Sequence, residues 1–247
     1  GLLTVPDTSE TDGGSFQVSA SDGIKEVVIG GATFSLAQLQ DAGYLAAHTV
    51  NTGEGTLTLT GYSSSDDKSA TITYSYTLAA AQEHGLPGND SLTDSVGVTV
   101  NGVGGSSDSA NLSISIIDDI PVATGDGTQT VTEDGNGTTT LQTVTGGVLG
   151  NDSYGADGAN VDAGTAFSWD ANTAAKAALA TYGTLTLGSD GTYTFTLDNS
   201  SAAVQGLTSS SVIEQTLTYT ITDHDGDTSP ASVTIRIVGA NDSAQVT

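Results

Sequence analysis

The chain has 247 residues, no cysteine, and 29 acidic side chains against four basic ones, giving a formal net charge of −25. Four lysine and arginine residues cannot form the basic face that phosphates require, which excludes a nucleic-acid partner and disfavours anionic membrane surfaces. The lack of cysteine excludes disulfides and thiolate metal sites, and membrane insertion is not expected because no apolar run approaches the ~20 residues that span a bilayer.

Short strands dominate the first half of the chain, because apolar residues alternate with threonine and serine at the period of two that half-buried strands show. A capping serine, Ser35, followed by good helix formers predicts one or two helical turns over 35–40, and a further turn is expected over 79–84. A Pro-Gly-Asn-Asp sequence at 87–90 interrupts the pattern. The strands of this half are predicted at 16–20, 27–29, 55–59 and 72–78.

The strongest strand pattern is a β-hairpin near the end of the chain. Leu217, Tyr219 and Ile221 alternate with threonines, and the same alternation returns from 233 to 237. The connection, DHDGD at 223–227, holds three carboxylates at every second position around a glycine that can adopt the positive φ of a tight turn. The sequence therefore predicts a hairpin with an acidic turn.

The same hairpin pattern occurs 121 residues earlier without the acidic turn. Six apolar positions of 96–116 coincide with those of 217–237 at this shift, and GVGGS at 102–106 replaces DHDGD. A shift of 128 residues relates GTLTL at 55–59 to GTLTL at 183–187. The chain is therefore expected to hold two copies of one domain, and the fold itself does not require the carboxylates of the turn.

Two tandem β-sandwich domains of the all-β class are expected, one over 1–121 and one over 122–247, with a few short helical turns. The second copy carries an insertion at about 153–182, where the alternation lapses. A short helix is predicted within it at 174–180, and the same segment holds the only tryptophan, Trp169.

The DHDGD turn is the clearest candidate for a metal site. Calcium takes six to eight oxygen ligands at about 2.3–2.6 Å, and aspartates spaced by two in a bent loop can converge on one ion. Asp223, Asp225 and Asp227 are the candidate Ca²⁺ ligands. The turn is not an EF-hand, because its glycine stands fourth rather than sixth. The alternative is an exposed acidic turn, since Asp-Gly is favoured in turns anyway.

A second set of carboxylates lies near the expected domain boundaries. Carboxylates from a linker and from both neighbouring domains can share ions and so fix the angle between domains. The alternative is a solvated, flexible linker. Asn-Asp pairs at 89–90 and 151–152 are weaker candidates, because such pairs commonly form turns. The candidate ligands of this second set are Asp118, Asp119, Glu133, Asp134 and Asp242.

Catalysis has little support in the sequence. The histidines, His48, His84 and His224, are isolated from one another, and neither a nucleophile elbow nor an HExxH motif is present. Among 29 acidic residues some pair stands at a glycosidase-like separation by chance, so such pairs are not evidence. An enzyme is not expected, and no catalytic residue is assigned.

Several longer runs together resemble a known family. The second half contains YGTLTLGSDGTYTFTLDNSSAAVQGL and LTYTITDHDGDTSPASVTIRIVGANDSA, and the first contains ATFSLAQLQ, EGTLTLTGY and LSISIIDDIPVA. In combination these runs resemble the VCBS and cadherin-like repeats of large bacterial RTX adhesins. The resemblance implies Ig-like β-sandwich domains in tandem, export by a type I secretion system, retention at the cell surface and calcium that stiffens the row of domains. The GVGGS run departs from the pattern, which leaves a metal site in the first copy without its ligands.

We accordingly expect a calcium-stabilised extender segment of a secreted bacterial surface adhesin, for which the resemblance implies roles in cell adhesion and biofilm formation. Its partners are expected to be neighbouring repeats of the same chain, with the fragment itself a monomer. One alternative is an adhesin module that binds a surface glycan or protein through the 153–182 insertion, with Trp169 exposed. Another is a structural surface-layer or self-associating protein.

Overall fold

Two compact units make up the chain, Gly1–Asp119 and Ile120–Thr247. Each has two β-sheets that enclose a hydrophobic core of its own. The predicted all-β, sandwich-type fold with a few short helices is confirmed. No helix in the described part of the chain is long and apolar enough to cross a lipid bilayer. The structure, a computed structural model, describes residues 10–80, 82, 84, 88, 91–134, 140–156, 158–161 and 164–242.

The first unit contains two antiparallel four-stranded sheets with the strand orders β1-β6-β5-β4 and β3-β2-β7-β8. Two short helices, α1 and α2, lie between β3 and β4. The elements are β1 (Thr11–Ser19), β2 (Ile24–Ile29), β3 (Ala32–Ser35), α1 (Leu36–Leu39), α2 (Ala42–Ala47), β4 (Thr49–Asn51), β5 (Gly55–Ser64), β6 (Ser69–Leu78), β7 (Ser91–Gly102) and β8 (Ser107–Ile117).

Local sequence explains the short helices. Ser35 forms a capping box with Gln38 at the start of α1, so the predicted helical turn is confirmed. Helix α2 was not predicted; the side chain of Asp41 caps it by accepting backbone N–H groups of its first turn. The helical turn expected over 79–84 falls partly outside the described residues, and the described ones there are not helical. The Pro-Gly-Asn-Asp sequence lies outside the described residues except for Gly88.

The second unit has a three-stranded sheet, β10-β13-β12, and a four-stranded sheet, β11-β14-β15-β9. Strand β9 is parallel to β15, and the other pairings are antiparallel. The elements are β9 (Gly127–Thr132), β10 (Thr143–Gly147), β11 (Phe167–Trp169), α3 (Thr173–Ala180), β12 (Gly183–Leu187), β13 (Thr192–Leu197), α4 (Ala202–Gln205), β14 (Val212–Thr222) and β15 (Thr228–Val238).

Corresponding strands of the two units pair in the same register. Val96 lies opposite Leu112 in the β7–β8 hairpin, and Leu217 lies opposite Val233 in the β14–β15 hairpin, each shifted by 121 residues. The other sheets share a packing detail: a Cβ at Gly14 would collide with the ring of Tyr74, and one at Gly146 with the ring of Tyr193. The glycine in each unit therefore gives room to a tyrosine on the adjacent strand.

The segment expected to be a loop insertion is built into the second unit. It contains helix α3, close to its predicted position, and β11, which pairs with β14. Trp169 is half-buried rather than exposed. Its ring packs edge-on against Tyr193 and Tyr219, and its Nε1 donates to the carbonyl of Gly188 at 2.9 Å. These contacts make Trp169 part of the core packing.

Candidate metal centres

The DHDGD turn joins β14 to β15 and is closed by its own first residue. The backbone N–H of Asp223 donates to the carbonyl of Asp227 at 3.0 Å. The Asp223 side chain is fully buried, and its Oδ1 accepts the backbone N–H groups of Gly226 at 3.2 Å and of Asp227 at 2.7 Å. Gly226 has a φ of +106°, which glycine adopts without strain. The Asp223 side chain therefore provides two of the hydrogen bonds that close the turn.

The next two aspartates of the turn converge. Asp225 and Asp227 bring ligand atoms within 4.8 Å of each other, a separation that one Ca²⁺ bridges when each Ca–O bond is about 2.4 Å. The Oδ2 atom of Asp225 is buried and has no hydrogen-bond partner. A buried carboxylate oxygen without a donor carries a desolvation cost that a cation offsets. His224, between them in the chain, is half-buried and makes no contact that assigns it a role.

The insertion supports this turn from the side. Asp223 forms an isolated antiparallel bridge with Ala159. Thr222, the last residue of β14, accepts a hydrogen bond from the N–H of Asn160 at 3.1 Å and donates its own N–H to Ala166 at 2.9 Å. The backbone on the β14 side of the turn is therefore fixed by a neighbouring segment, which pre-organises the carboxylates that follow.

The opposite end of β15 is organised around Glu133, which directly follows β9. This side chain is fully buried. Its Oε2 accepts the N–H of Ala240 at 2.9 Å, and its backbone N–H donates to Val238 at 2.9 Å. Its Oε1 is buried without a hydrogen-bond partner. An ionised group in such a position is costly unless a counter-charge faces it, so Glu133 fits a cation ligand.

The structure brings two more predicted ligands to this end. Asp134 is half-buried, and its N–H donates to Oδ1 of Asn199 at 3.3 Å. Asp242 is exposed and stands two residues after Ala240, which is bonded to Glu133. The predicted ligands of this unit therefore form two groups at opposite ends of β15, whose eleven residues span about 36 Å.

The remaining predicted ligands belong to the first unit. Asp118 is buried, and its Oδ1 lies 4.0 Å from Nδ1 of His84. Asp119 is exposed. His84, which sequence reasoning left without a role, is thus an electrostatic neighbour of a candidate ligand, and no motif in the chain points to that pairing.

A third oxygen cluster was missed by the sequence reasoning. The buried hydroxyl of Tyr219 lies 3.2 Å from Oδ2 of Asp126, 3.3 Å from Oδ1 of Asp152, and 3.2 Å from the carbonyls of Thr124 and Val148. A phenol has one hydrogen to donate, so it cannot satisfy all four acceptors. Burial raises the pKa of Asp126, the hydrogen bond from Tyr219 opposes that rise, and the charge of Asp152 adds to it. Asp152 belongs to a weaker predicted pair, whereas nothing in the sequence around Asp126 signals a site.

Residues 118–239 match the family of bacterial cadherin-like domains. The second unit is therefore similar to a bacterial cadherin-like domain. The matched range covers just under half of the chain and begins at Asp118, so it includes the Asp118–Asp119 pair as well as the acidic turn. Domains of that family generally bind Ca²⁺, and the buried oxygens of Glu133 and Asp225 that have no hydrogen-bond partner are hard donors of the kind that calcium prefers.

Cadherin fragments are among the similar solved structures. PcdhgB3 EC1-4 is 17% identical, with 73% of this chain and 38% of that chain covered and a TM-score of 0.28. Zebrafish RET cadherin-like domains 1 to 4 are 11% identical, with 93% of this chain and 42% of that chain covered and a TM-score of 0.26. Protocadherin gammaB7 EC3-6 is 12% identical, with 92% of this chain and 51% of that chain covered and a TM-score of 0.31. The chain thus spans about half or less of the length of these structures. No curated protein sequence matches it.

Proposed function

We propose that this chain is a calcium-stabilised extender segment of a secreted bacterial surface adhesin of the RTX type, exported by type I secretion and serving cell adhesion and biofilm formation. The observation that carries the proposal is Glu133, a fully buried carboxylate with one oxygen that no donor satisfies. A purely structural glutamate would have both oxygens paired, whereas a ligand keeps one for its cation.

The placement of the carboxylates supports an extender role. The chain enters the second unit beside the acidic turn, where the N–H of Ala123 donates to Oγ of Ser229. It leaves the unit beside Glu133, where Ala240 is bonded to that side chain. Candidate ligand carboxylates therefore lie beside both the entry and the exit of the chain in this unit.

The residues would act by holding the chain's entry and exit segments. Asp225 and Asp227 are the proposed ligands of the second unit at the end where the chain enters it, and Asp118 and Asp119 are proposed ligands of the first unit, in the residues that lead into Ile120. Glu133, Asp134 and Asp242 are the proposed ligands at exit. Calcium, when bound, supplies the positive charge that lets these carboxylates lie close together and restricts bending of the linking segments.

Extracellular calcium modules bind the ion with dissociation constants of roughly 10⁻⁴ to 10⁻³ M. Such a segment would therefore be rigid outside the cell and flexible where free calcium is scarce. The proposed partners are neighbouring repeats of the same chain, the fragment alone is a monomer, and no catalytic role is proposed. The contacts of Trp169 within the core account for that residue without a bound glycan or protein.

Calorimetric titration with calcium tests this function. Glu133→Gln keeps an oxygen for the N–H of Ala240 but removes the charge, and we expect it to weaken one class of calcium sites at least about tenfold, since each ligand charge tunes affinity. Glu54→Gln, an exposed glutamate of the first unit, is the matched control and should leave the isotherm unchanged. Superimposable isotherms for wild type and Glu133→Gln would contradict the proposal.

A further inference from the structure

The same pair of leucines is covered differently in the two units. The GTLTL sequence begins strand β5 in the first unit and forms strand β12 in the second. Leu57 and Leu59 of β5 are completely buried. Their counterparts in β12, Leu185 and Leu187, pack against the second core but are only partly buried. The second unit therefore leaves apolar surface accessible that the first unit covers.

A helix takes the place of a strand beside these leucines. In the first unit β4 pairs antiparallel with β5 and places Val50 opposite Leu57. The shift of 128 residues that relates the two GTLTL sequences also relates 49–51, the residues of β4, to 177–179 within helix α3. A paired strand lies about 4.8 Å away, whereas a helix about 10 Å wide cannot approach as closely. The replacement therefore leaves a space between α3 and β12.

This space is a groove of about 260 Å³, lined by Lys176, Ala180, Leu185 and Leu187. Helix α3 buries Leu179 in the core, and Lys176 and Ala180, which are four residues apart, lie together on another face of the helix. Leu185 and Leu187, two residues apart, share one face of the strand. The groove therefore has apolar walls and one basic residue, on its helix side.

Lys176 differs from the other basic residues of the chain in its surroundings. Lys25 and Arg236 each form an ion pair with a glutamate, at 3.9 Å and 3.2 Å respectively. Lys68 interacts electrostatically with Asp66. Among the residues that the structure describes, Lys176 has no ion pair with a carboxylate. An apolar groove with an available positive charge is complementary to an anion that carries an apolar chain.

The volume of the groove limits the size of that anion. A water molecule takes about 30 Å³ of the liquid, so about 260 Å³ holds roughly nine non-hydrogen atoms. Drug-sized ligands occupy larger pockets, of about 300–1,000 Å³. The net charge of −25 repels anions only over short distances at physiological ionic strength, where the screening length is about 8 Å. The charge next to the groove therefore decides which small ligand it accepts.

We propose that the groove between α3 and β12 binds small carboxylates with an unbranched apolar chain of about six to eight carbons. The carboxylate pairs with Lys176, and the chain lies on Leu185 and Leu187 and displaces water from them. This inference is independent of calcium and of the extender role, because none of the candidate calcium ligands lines the groove.

NMR titration of the isotope-labelled full chain with octanoate tests the site. We expect saturable changes in amide chemical shift that are largest at residues 176–187, which include all four lining residues. Octanol has the same chain without the charge and should bind at least about fivefold more weakly, because a hydrogen bond to a charged group is stronger than one to a neutral group. No saturable change, changes centred elsewhere, or equal affinity for octanol would overturn the proposal.

A matched pair of variants tests the role of the charge. Lys176→Met keeps an unbranched side chain and removes the charge, so octanoate should bind about tenfold more weakly. Lys25→Met makes the same change at an exposed lysine of the first unit and should leave the affinity unchanged. Equal losses in the two variants, or none in Lys176→Met, would contradict the assignment. Tighter binding of a short peptide ending in leucine than of octanoate would overturn it too, because a protein C-terminus would then be the occupant.

Discussion

The two equivalent hairpin turns of this chain share one backbone and differ in the source of their carboxylates. In the first unit the N–H of Gly102 donates to Ser106 at 2.8 Å, and in the second the N–H of Asp223 donates to Asp227 at 3.0 Å. A glycine with positive φ stands at the same place in each turn, Gly105 at +90° and Gly226 at +106°.

In each turn one carboxylate accepts two of the hydrogen bonds that close the turn. In the first unit that carboxylate belongs to Asp22, which lies outside the turn and accepts the N–H of Gly104 and the hydroxyl of Ser106. In the second unit it belongs to Asp223 within the turn. These hydrogen bonds also hold the pKa of Asp22 below its ordinary value, with the Gly104 N–H as the largest cause.

Comparing the two turns shows which carboxylates close the turn and which are additional. One carboxylate suffices to close this turn, as Asp22 demonstrates for the first unit. The second turn has the same closure from Asp223 and places Asp225 and Asp227 beside it, adding charges that the first turn does without. Extra negative charge in a compact turn is unfavourable by itself, and a bound cation, as proposed above, would offset that repulsion.

The largest effect is expected from removing the tie of the second turn. Asp223→Ala would remove the acceptor of the Gly226 N–H and would leave the Asp227 N–H only its 3.4 Å hydrogen bond to Asp225, which should lower the free energy of unfolding by about 2–3 kcal/mol even in chelator. Urea denaturation followed by Trp169 emission measures this unit selectively, because the chain has one tryptophan. His224→Ala, in the same turn, is the control and should change little. Equal free energies of unfolding for Asp223→Ala and the wild type would show that the hydrogen bonds of Asp223 are not needed to close the turn.

Moving the carboxylate of the second turn into the first should be costly as well. A Cβ at Gly102 would collide with the Ser106 hydroxyl and with the Asp22 carboxylate, so Gly102→Asp should destabilise the first unit by about 1–3 kcal/mol. Circular dichroism during urea denaturation would show an earlier transition while Trp169 emission stays unchanged.

A second variant sharpens this experiment. Replacing Asp22 by serine in the Gly102→Asp background removes the collision with the Asp22 carboxylate and the like charge, while leaving one carboxylate in the turn. We expect the double variant to regain part of the lost stability. Additive destabilisation by the two changes would mean that the turns are not equivalent.

Neutralising the surplus carboxylates should affect the calcium response and little else. Asp225→Asn with Asp227→Asn should abolish a calcium-dependent gain of about 1.4 kcal/mol, the value for a site at ten times its dissociation constant. Stability in chelator should stay the same or rise slightly as repulsion falls. The control neutralises two exposed aspartates of the first unit, Asp12→Asn with Asp108→Asn. A calcium gain that survives in the first variant would argue against the turn as a site.

The smallest effect concerns the cluster around Tyr219. Because burial raises the pKa of Asp126 in the fold, its contribution to stability is present below the unfolded pKa and is lost as pH rises through the folded pKa. Asp126→Asn, which stays neutral, should therefore stabilise the unit at pH 7 and lose that advantage near pH 3. Solvent screening keeps the gain below about 1 kcal/mol. Urea denaturation of the wild type and of Asp126→Asn at both pH values, without calcium, measures this gain. If Asp126→Asn were less stable than the wild type at pH 7, the raised pKa of Asp126 would be contradicted.

Much of the fold follows from local sequence. Alternating residues predict strands because a half-buried strand must present every second side chain to the core, and Leu57, Leu59 and Ile72 are all completely buried. Ser35 predicts α1 through its capping box. Helix α2 escaped prediction because Gly43 lowers helix propensity within it and the stabilising cap comes from Asp41. Strand β11 escaped because three residues are too few to show a period.

The sequence predicted candidate sites only where the ligands are close together in the chain. The spacing of Asp225 and Asp227 signals convergence, and the structure brings their ligand atoms within 4.8 Å. Sequence could not show that Asp223 is occupied with closing the turn, because that depends on the path of the backbone. Asp126 and Tyr219 are 93 residues apart and meet only through tertiary structure.

The most direct test of the central claim, that these carboxylates hold calcium, is a thermal melt of the wild-type chain followed by Trp169 emission. It is recorded in excess chelator, in millimolar calcium and in equimolar magnesium, which controls for screening of the net charge of −25. We predict a rise of several degrees that is specific to calcium, because a ligand that binds the folded state raises its melting temperature. No shift, or an equal shift with magnesium, would contradict the account and reduce the acidic groups to solvated turns.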